Sequence, residues 1–204
     1  MQFQLVAGHA ALDLANTLDN RGQPNEVELL DSYEALLRFA EQSKVITPAH
    51  KRQLARAVPG HALDHAIQLR EAVHAIFLPL ALEGTPPPDA IDTLNRYTHQ
   101  ALQHRAIGRR SSHYTWRWDD PNHPESPIWP LALGAAELLT SPNVSLVRAC
   151  ECDTCRWLFL DQSKNHSRRW CDMKICGNRT KARRYYLRRA ANTASPTSMN
   201  DIAT

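Results

Sequence analysis

The chain has 204 residues, room for one or two domains with a sizeable core, and its 43% hydrophobic and 22% charged composition with 7 glycines is that of an ordinary globular protein. The longest strongly apolar run, Ala75 to Leu82, is too short for a bilayer span and contains Pro79, and Met1-Gln2-Phe3-Gln4 has no secretion-signal character; a cytoplasmic protein with no membrane partner is expected. The net charge of +3 is unevenly spread: residues 148–189 hold 12 Lys/Arg against 4 Asp/Glu, residues 1–147 hold 12 against 16, and this predicts a polyanionic partner for the later segment.

Helical patterning dominates residues 1–140, and its apolar periodicity predicts a helical core that forms without the cysteines. In Ala11-Leu12-Asp13-Leu14-Ala15-Asn16-Thr17-Leu18, polar groups at 13, 16 and 17 interrupt an apolar helix. They either line an effector pocket or cap the helix and form a buried hydrogen-bond network. Asp31 with Glu34 has capping-box spacing and opens a helix to about Ser43, with Leu36, Leu37 and Ala40 inward. Thr47-Pro48 pairs an N-cap with a proline at the first helical position, for a helix ending near Pro59-Gly60.

From Ala62 to Glu83 an apolar series keeps helical period except at Arg70, with Pro79 kinking or breaking the end. His61 and His65 share a face, but His-Ala-Leu-Asp-His is not the metalloprotease pattern, and surface histidines are the expectation. Ile91, Leu94, Thr98, Ala101 and Leu102 mark another helix, followed by a loop at Gly108-Arg109-Arg110. His113 to Trp118 alternates aromatic and polar side chains as a strand does. Ser126-Pro127 opens a last helix, with Leu131, Ala135, Leu138 and Leu139 inside, that ends at Ser141-Pro142; Val144 to Arg148 then runs extended. No phosphate loop, nucleophile elbow or dinucleotide fingerprint occurs, and no enzyme is expected.

All five cysteines, Cys150, Cys152, Cys155, Cys171 and Cys176, fall within one short segment. An odd number so crowded argues against a disulfide framework and for a structural zinc site, in which two close pairs converge on one ion. The first pair is Cys152 with Cys155 or Cys150 with Cys155; spacing allows both. His166 is the one histidine of the segment that could replace a thiolate. Trp157 to Leu160 reads as a strand covering the metal, Ser163 to Ser167 as the turn of a hairpin returning to Trp170-Cys171, and the chain beyond Cys176 as a basic helix. On it, positions 181, 184 and 188 form one stripe and 179 and 183 another. Asn178 is read as a helix cap and Trp157 and Phe159 as core.

Cys176-Gly177-Asn178-Arg179, preceded by Arg168-Arg169-Trp170-Cys171-Asp172-Met173 and followed by Lys181, resembles the CGNR zinc finger family over about residues 145–189. That resemblance implies zinc ligands Cys150, Cys155, Cys171 and Cys176, with Cys152 an extra thiol. The front, through Ala11 to Leu18 and Leu29-Leu30-Asp31-Ser32-Tyr33-Glu34-Ala35-Leu36-Leu37, is similar to the ABATE domain, which precedes such fingers in proteins labelled bacterial stress-induced transcription regulators. The expected architecture is mainly α: a helical domain with a short β element over 1–142, a treble-clef-like zinc finger with its basic helix over 143–189, and a disordered tail over 190–204. The expected function is DNA-binding transcription regulation, with Arg168, Arg169, Arg179, Lys181, Arg183, Arg184 and Arg188 on double-stranded DNA. A small-molecule effector or homodimerisation is assigned to the front domain. The alternative is an adaptor or RNA-binding protein.

Overall fold

The computed structural model describes residues 2–193. The chain enters as α1 (Ala10–Ala15), capped by the His9 ring, which accepts from the Ala11 N–H. A two-residue ladder, β1 (Leu18–Asp19) with β2 (Val27–Glu28), leads to α2 (Tyr33–Gln42) and α3 (Pro48–Leu54). Ser32, one residue beyond the expected Asp31, caps α2 through its hydroxyl on the Ala35 N–H. Thr47 caps α3 as its sequence predicts, but α3 stops at Leu54, short of Pro59-Gly60. Two helices follow, α4 (Ala62–Ala81) and α5 (Pro88–Gln103); Pro79 lies in the last turn of α4, where the helix is already ending.

After α5 comes an antiparallel hairpin of β3 (Arg105–Arg110) and β4 (His113–Trp118), paired from Arg105–Trp118 to Arg110–His113. The expected loop at Gly108-Arg109-Arg110 is therefore strand. The chain then forms α6 (Ile128–Thr140), a 3₁₀ turn over Pro142–Leu146, β5 (Val147–Ala149), β6 (Leu158–Leu160), a π-helical turn over Met173–Gly177 and α7 (Asn178–Thr193). The 3₁₀ turn occupies most of the stretch read as extended from Val144. Helix α7 also runs through the start of the expected tail at 190; residues 194–204 of that tail lie outside the described residues.

One continuous core joins the helices to the finger. Leu12 and Leu14 of α1, Leu69, Val73, Ile76 and Phe77 of α4, Leu94 of α5 and Leu131 and Ala135 of α6 pack with Val147, Leu158, Phe159 and Leu160 of β5 and β6. The helices alone thus do not close the core; β6 is one of its walls. A satellite cluster of Leu37, Ala40, Ile46 and Leu54 holds α3 against α2. The break at Arg70 is a buried cation: its guanidinium donates to Glu28 at 2.6 Å and Glu71 at 2.8 Å, and Arg21 also pairs with Glu71. A buried charge so paired keeps its hydrogen bonds, which is the condition for tolerating it.

Candidate metal centre

Strand β6 fixes the knuckle. On one edge it pairs with β5, Val147 opposite Leu160 and Ala149 opposite Leu158. On the other edge the Asn16 side chain reads the Leu158 backbone twice, donating through Nδ2 to its carbonyl and accepting through Oδ1 from its N–H, both at 2.9 Å. The Leu160 N–H donates to the Ala7 carbonyl at 2.8 Å. Asp13 accepts from the Ala7 N–H at 2.9 Å, and the Thr17 hydroxyl donates to the Leu14 carbonyl at 2.7 Å. The three polar residues of α1 and its end are therefore buried and hydrogen-bonded, as the second of the two readings expects, and Asn16 also lines a small cavity with Arg21, His74 and Trp157. Burial, only partly offset by the N–H groups of Ala7 and Val6, raises the Asp13 carboxyl to about 6.

The β5–β6 connection carries the first two thiols. The Cys150 N–H donates to the Trp157 carbonyl at 2.8 Å, and the loop turns through Cys155 N–H to Cys152 carbonyl at 2.9 Å and Arg156 at φ 56°. Beyond β6 the chain does not return as a strand: β6 is paired with β5, and Asp161 closes the following loop. Its carboxylate accepts from the Ser163 N–H and hydroxyl and from the Arg168 N–H, at 3.0, 2.6 and 2.9 Å. His166, whose Nδ1 lies 2.9 Å from the Asp161 carbonyl oxygen, belongs to this loop and is not among the clustered metal-binding groups.

Cys171 precedes the π-helical turn and Cys176 lies within it. The Asp172 carboxylate accepts from the Lys174 and Ile175 N–H groups at 2.7 and 2.9 Å, so Asp172 caps the turn from which α7 grows. The helix-cap role read for Asn178 falls to Asp172; Asn178 is the first α7 residue, in helical geometry. At Gly177 a Cβ would stand 2.5 Å from the Met173 sulfur, so the exposed end of that flexible side chain would have to move aside.

The sulfurs of Cys150, Cys155, Cys171 and Cys176 all lie within 4.8 Å of one another, and the Cys155–Cys171 and Cys171–Cys176 separations are 3.5 and 3.6 Å. A tetrahedral ion with metal–sulfur bonds of about 2.3 Å needs sulfurs about 3.8 Å apart, so the donor set fits zinc. Cys152 is buried but turned away, its sulfur 3.7 Å from the Thr154 hydroxyl. Hydrogen bonds from Cys155 and Cys171 lower the Cys150 thiol, and those same bonds raise the Cys155 and Cys171 thiols; burial raises Cys176 to about 11. Without a cation these four groups cannot all ionise together. A bound dication supplies the charge that lets them do so, and so ties the knuckle to the start of α7.

The basic residues divide sharply. Arg168 is committed to the fold: it donates to the Trp170 carbonyl at 2.9 Å, the Val6 carbonyl at 3.1 Å and the Cys171 carbonyl, with its guanidinium 4.4 Å above the Phe159 ring. Arg169 pairs with Glu151 and lies over Trp170. Arg179 donates to the Thr154 hydroxyl at 3.1 Å and Arg183 to Asp153 at 2.5 Å, both folding back onto the knuckle. The side chains of Lys181, Arg184 and Arg188 are exposed and make no hydrogen bond or ion pair with the described residues, although the Arg184 charge helps lower the Glu151 carboxyl. In the front half, His65 pairs with Glu125 at 2.7 Å and His61 faces Asp64; they form no metal cluster among the described residues.

A mainly helical body with a four-cysteine knuckle buried against it defines a small zinc-finger protein; without the returning strand, the hairpin of the expected treble clef is not formed. The chain belongs to the ABATE family, described as "Putative stress-induced transcription regulator", whose model matches residues 8–142. The CGNR zinc finger model matches residues 147–189, and with the four-cysteine cluster it gives the protein one structural zinc ion. No curated protein matches this chain. Among the described residues no helix is long and apolar enough to cross a membrane.

Proposed function

We propose that this protein is a DNA-binding transcription regulator whose contact element is α7. One observation carries the reading: every side chain from Lys181 to Arg189 is exposed, and residues 179–189 contain six Lys/Arg and no Asp/Glu. Such a stretch adds little to the core; a helix of this kind matches the width and charge of the DNA major groove. Positions 181, 184 and 188 lie on one side of the helix, and 179 and 183 lie on the opposite side, which faces the knuckle. Arg179 and Arg183 thus set the helix direction, while Lys181, Arg184 and Arg188 meet phosphate. Arg168 serves the fold and Arg169 is engaged by Glu151. The zinc is structural in this reading, four thiolates leaving no position for a reacting water, and the protein is a binder and not an enzyme.

The test uses the full-length, zinc-loaded chain and a labelled duplex recovered by selection from a random pool, titrated over a range of salt. Lys181→Ala or Arg188→Ala should weaken selected and scrambled duplexes alike and flatten the dependence of log affinity on log salt by about 0.9 each. Unchanged affinity in both variants would remove α7 from nucleic-acid binding and make the finger an adaptor for another partner.

A further inference from the structure

The β3–β4 hairpin is a second place where cations gather, and no carboxylate within it balances them. Residues 105–118 contain Arg105, Arg109, Arg110, Arg117 and His113 and no carboxylate. Only the base of the ribbon is anchored: Trp118 lies 5.5 Å from the Trp129 ring of α6, and His104, just before β3, stacks on Trp129 at 4.0 Å. Beyond that base both faces meet water. Ile107, Tyr114 and Trp116 are 65%, 73% and 59% exposed.

The register sorts these side chains. Arg105, Ile107 and Arg109 stand opposite Trp118, Trp116 and Tyr114 on one face, and Ala106, Gly108 and Arg110 stand opposite Arg117, Thr115 and His113 on the other. Arg105 lies 4.6 Å above the Trp118 ring and 5.6 Å above that of Trp116. A Cβ at Gly108 would stand 2.5 Å from the Arg117 Cδ, so glycine lets the arginine stem lie across the strand. The arginine partners are carbonyls of the ribbon itself, Ser111 for Arg109 and Trp118 for Arg117; none of the four forms an ion pair with a carboxylate among the described residues.

A projecting two-stranded ribbon is marginal by itself, and rings left in water gain nothing from folding. Four arginines without a counter-charge select a polyanion. They also disfavour a second copy of this chain, since a two-fold contact would set like charge against like. A two-stranded ribbon fits the major groove of duplex DNA. We infer that the β3–β4 ribbon is a second duplex-binding element, its arginines on phosphates and Ile107, Tyr114 and Trp116 against the groove wall. The inference rests on the reading of the protein as a DNA binder, not on α7 being its contact element.

The experiment compares wild type, Arg109→Ala/Arg110→Ala, Trp116→Ala and Lys181→Ala, all full-length and zinc-loaded, on one labelled duplex of mixed sequence across a salt series. Circular dichroism and zinc content establish that each variant is folded. The double arginine variant should lower the salt slope by about 1.8, so that the wild-type advantage grows about 3.5-fold for each halving of salt. Trp116→Ala should weaken binding with the slope unchanged. If Lys181→Ala flattens the slope while the ribbon variants bind like wild type, the ribbon inference fails and the α7 reading stands. If the ribbon variants lower slope and affinity while Lys181→Ala changes neither, the α7 reading fails and the ribbon remains a DNA contact. A wild type that binds no duplex even at low salt overturns both. Loss of self-association, or of binding to phosphatidylglycerol vesicles, in the double variant with duplex binding unchanged would overturn the inference in favour of an interface between copies or a lipid surface.

Discussion

Asn16→Leu tests whether the helical body and the knuckle fold together. The substitution keeps the side chain's branching and heavy-atom count but removes both bonds to Leu158, a residue with no exposed surface, over a sequence separation of 142. A buried N–H and a buried carbonyl are then left without partners, at about 1–3 kcal/mol each, so about 2–6 kcal/mol in total. That is a large share of the roughly 5–15 kcal/mol available to a folded domain. For a protein of this size each kcal/mol moves Tm by about 2–4 °C, and a fall of at least about 4 °C is expected. Urea unfolding followed by circular dichroism gives the stability change, and a chromogenic chelator gives zinc release in the same samples. Because Leu158 lies between the ligands Cys155 and Cys171, faster zinc loss should accompany the lower midpoint. Asn143→Ala, at an exposed position, is the control and should stay within about 0.5 kcal/mol of wild type. An Asn16→Leu midpoint matching wild type would show that Asn16 does not hold β6. A lowered midpoint with unchanged zinc release would show that the two parts are not one cooperative unit.

Replacing Cys155, Cys171 or Cys176 with Ser should release the zinc and unfold the knuckle, whereas Cys152→Ser should keep it, as read by metal content; zinc lost from Cys152→Ser but kept in Cys150→Ser would reverse the ligand assignment. Burial, with Arg21 and Arg70 nearby and only Glu71 opposing, lowers His74 to about 4. The unfolded chain takes up this proton near pH 6.5 and the folded chain only near 4, so the stability due to neutral His74 is complete above about pH 6.5 and lost as pH falls toward 4. The wild-type loss over that window should exceed that of His74→Gln by about 2–3 kcal/mol in urea titrations; parallel curves would mean that His74 titrates normally in the fold.

What the amino-acid order determined by itself is what neighbours in the chain decide. Thr47-Pro48 caps α3 because an N-cap oxygen reaches a backbone N–H three residues on, and Tyr114-Thr115-Trp116 alternates because a strand does. Two cysteine pairs with short loops must converge on one ion, although spacing alone did not choose between Cys150 and Cys152. Other features had no local mark. The Asn16–Leu158 pair spans most of the chain, and Asn16 has the same appearance whether it lines a pocket or binds a strand. Strand β3 escaped because Arg109-Arg110 resembles loop and the Ser111-Ser112 turn, with Ser111 at φ 53°, lacks the usual Asn-Gly signal. The arginines show the limit most clearly. Arg168, Arg183 and Arg188 are chemically identical, but the tertiary structure spends the first on three carbonyls, folds the second onto Asp153 and turns the third to water. A guanidinium's role is set by which acceptors come within about 3 Å of it, and only the packed chain brings those acceptors there.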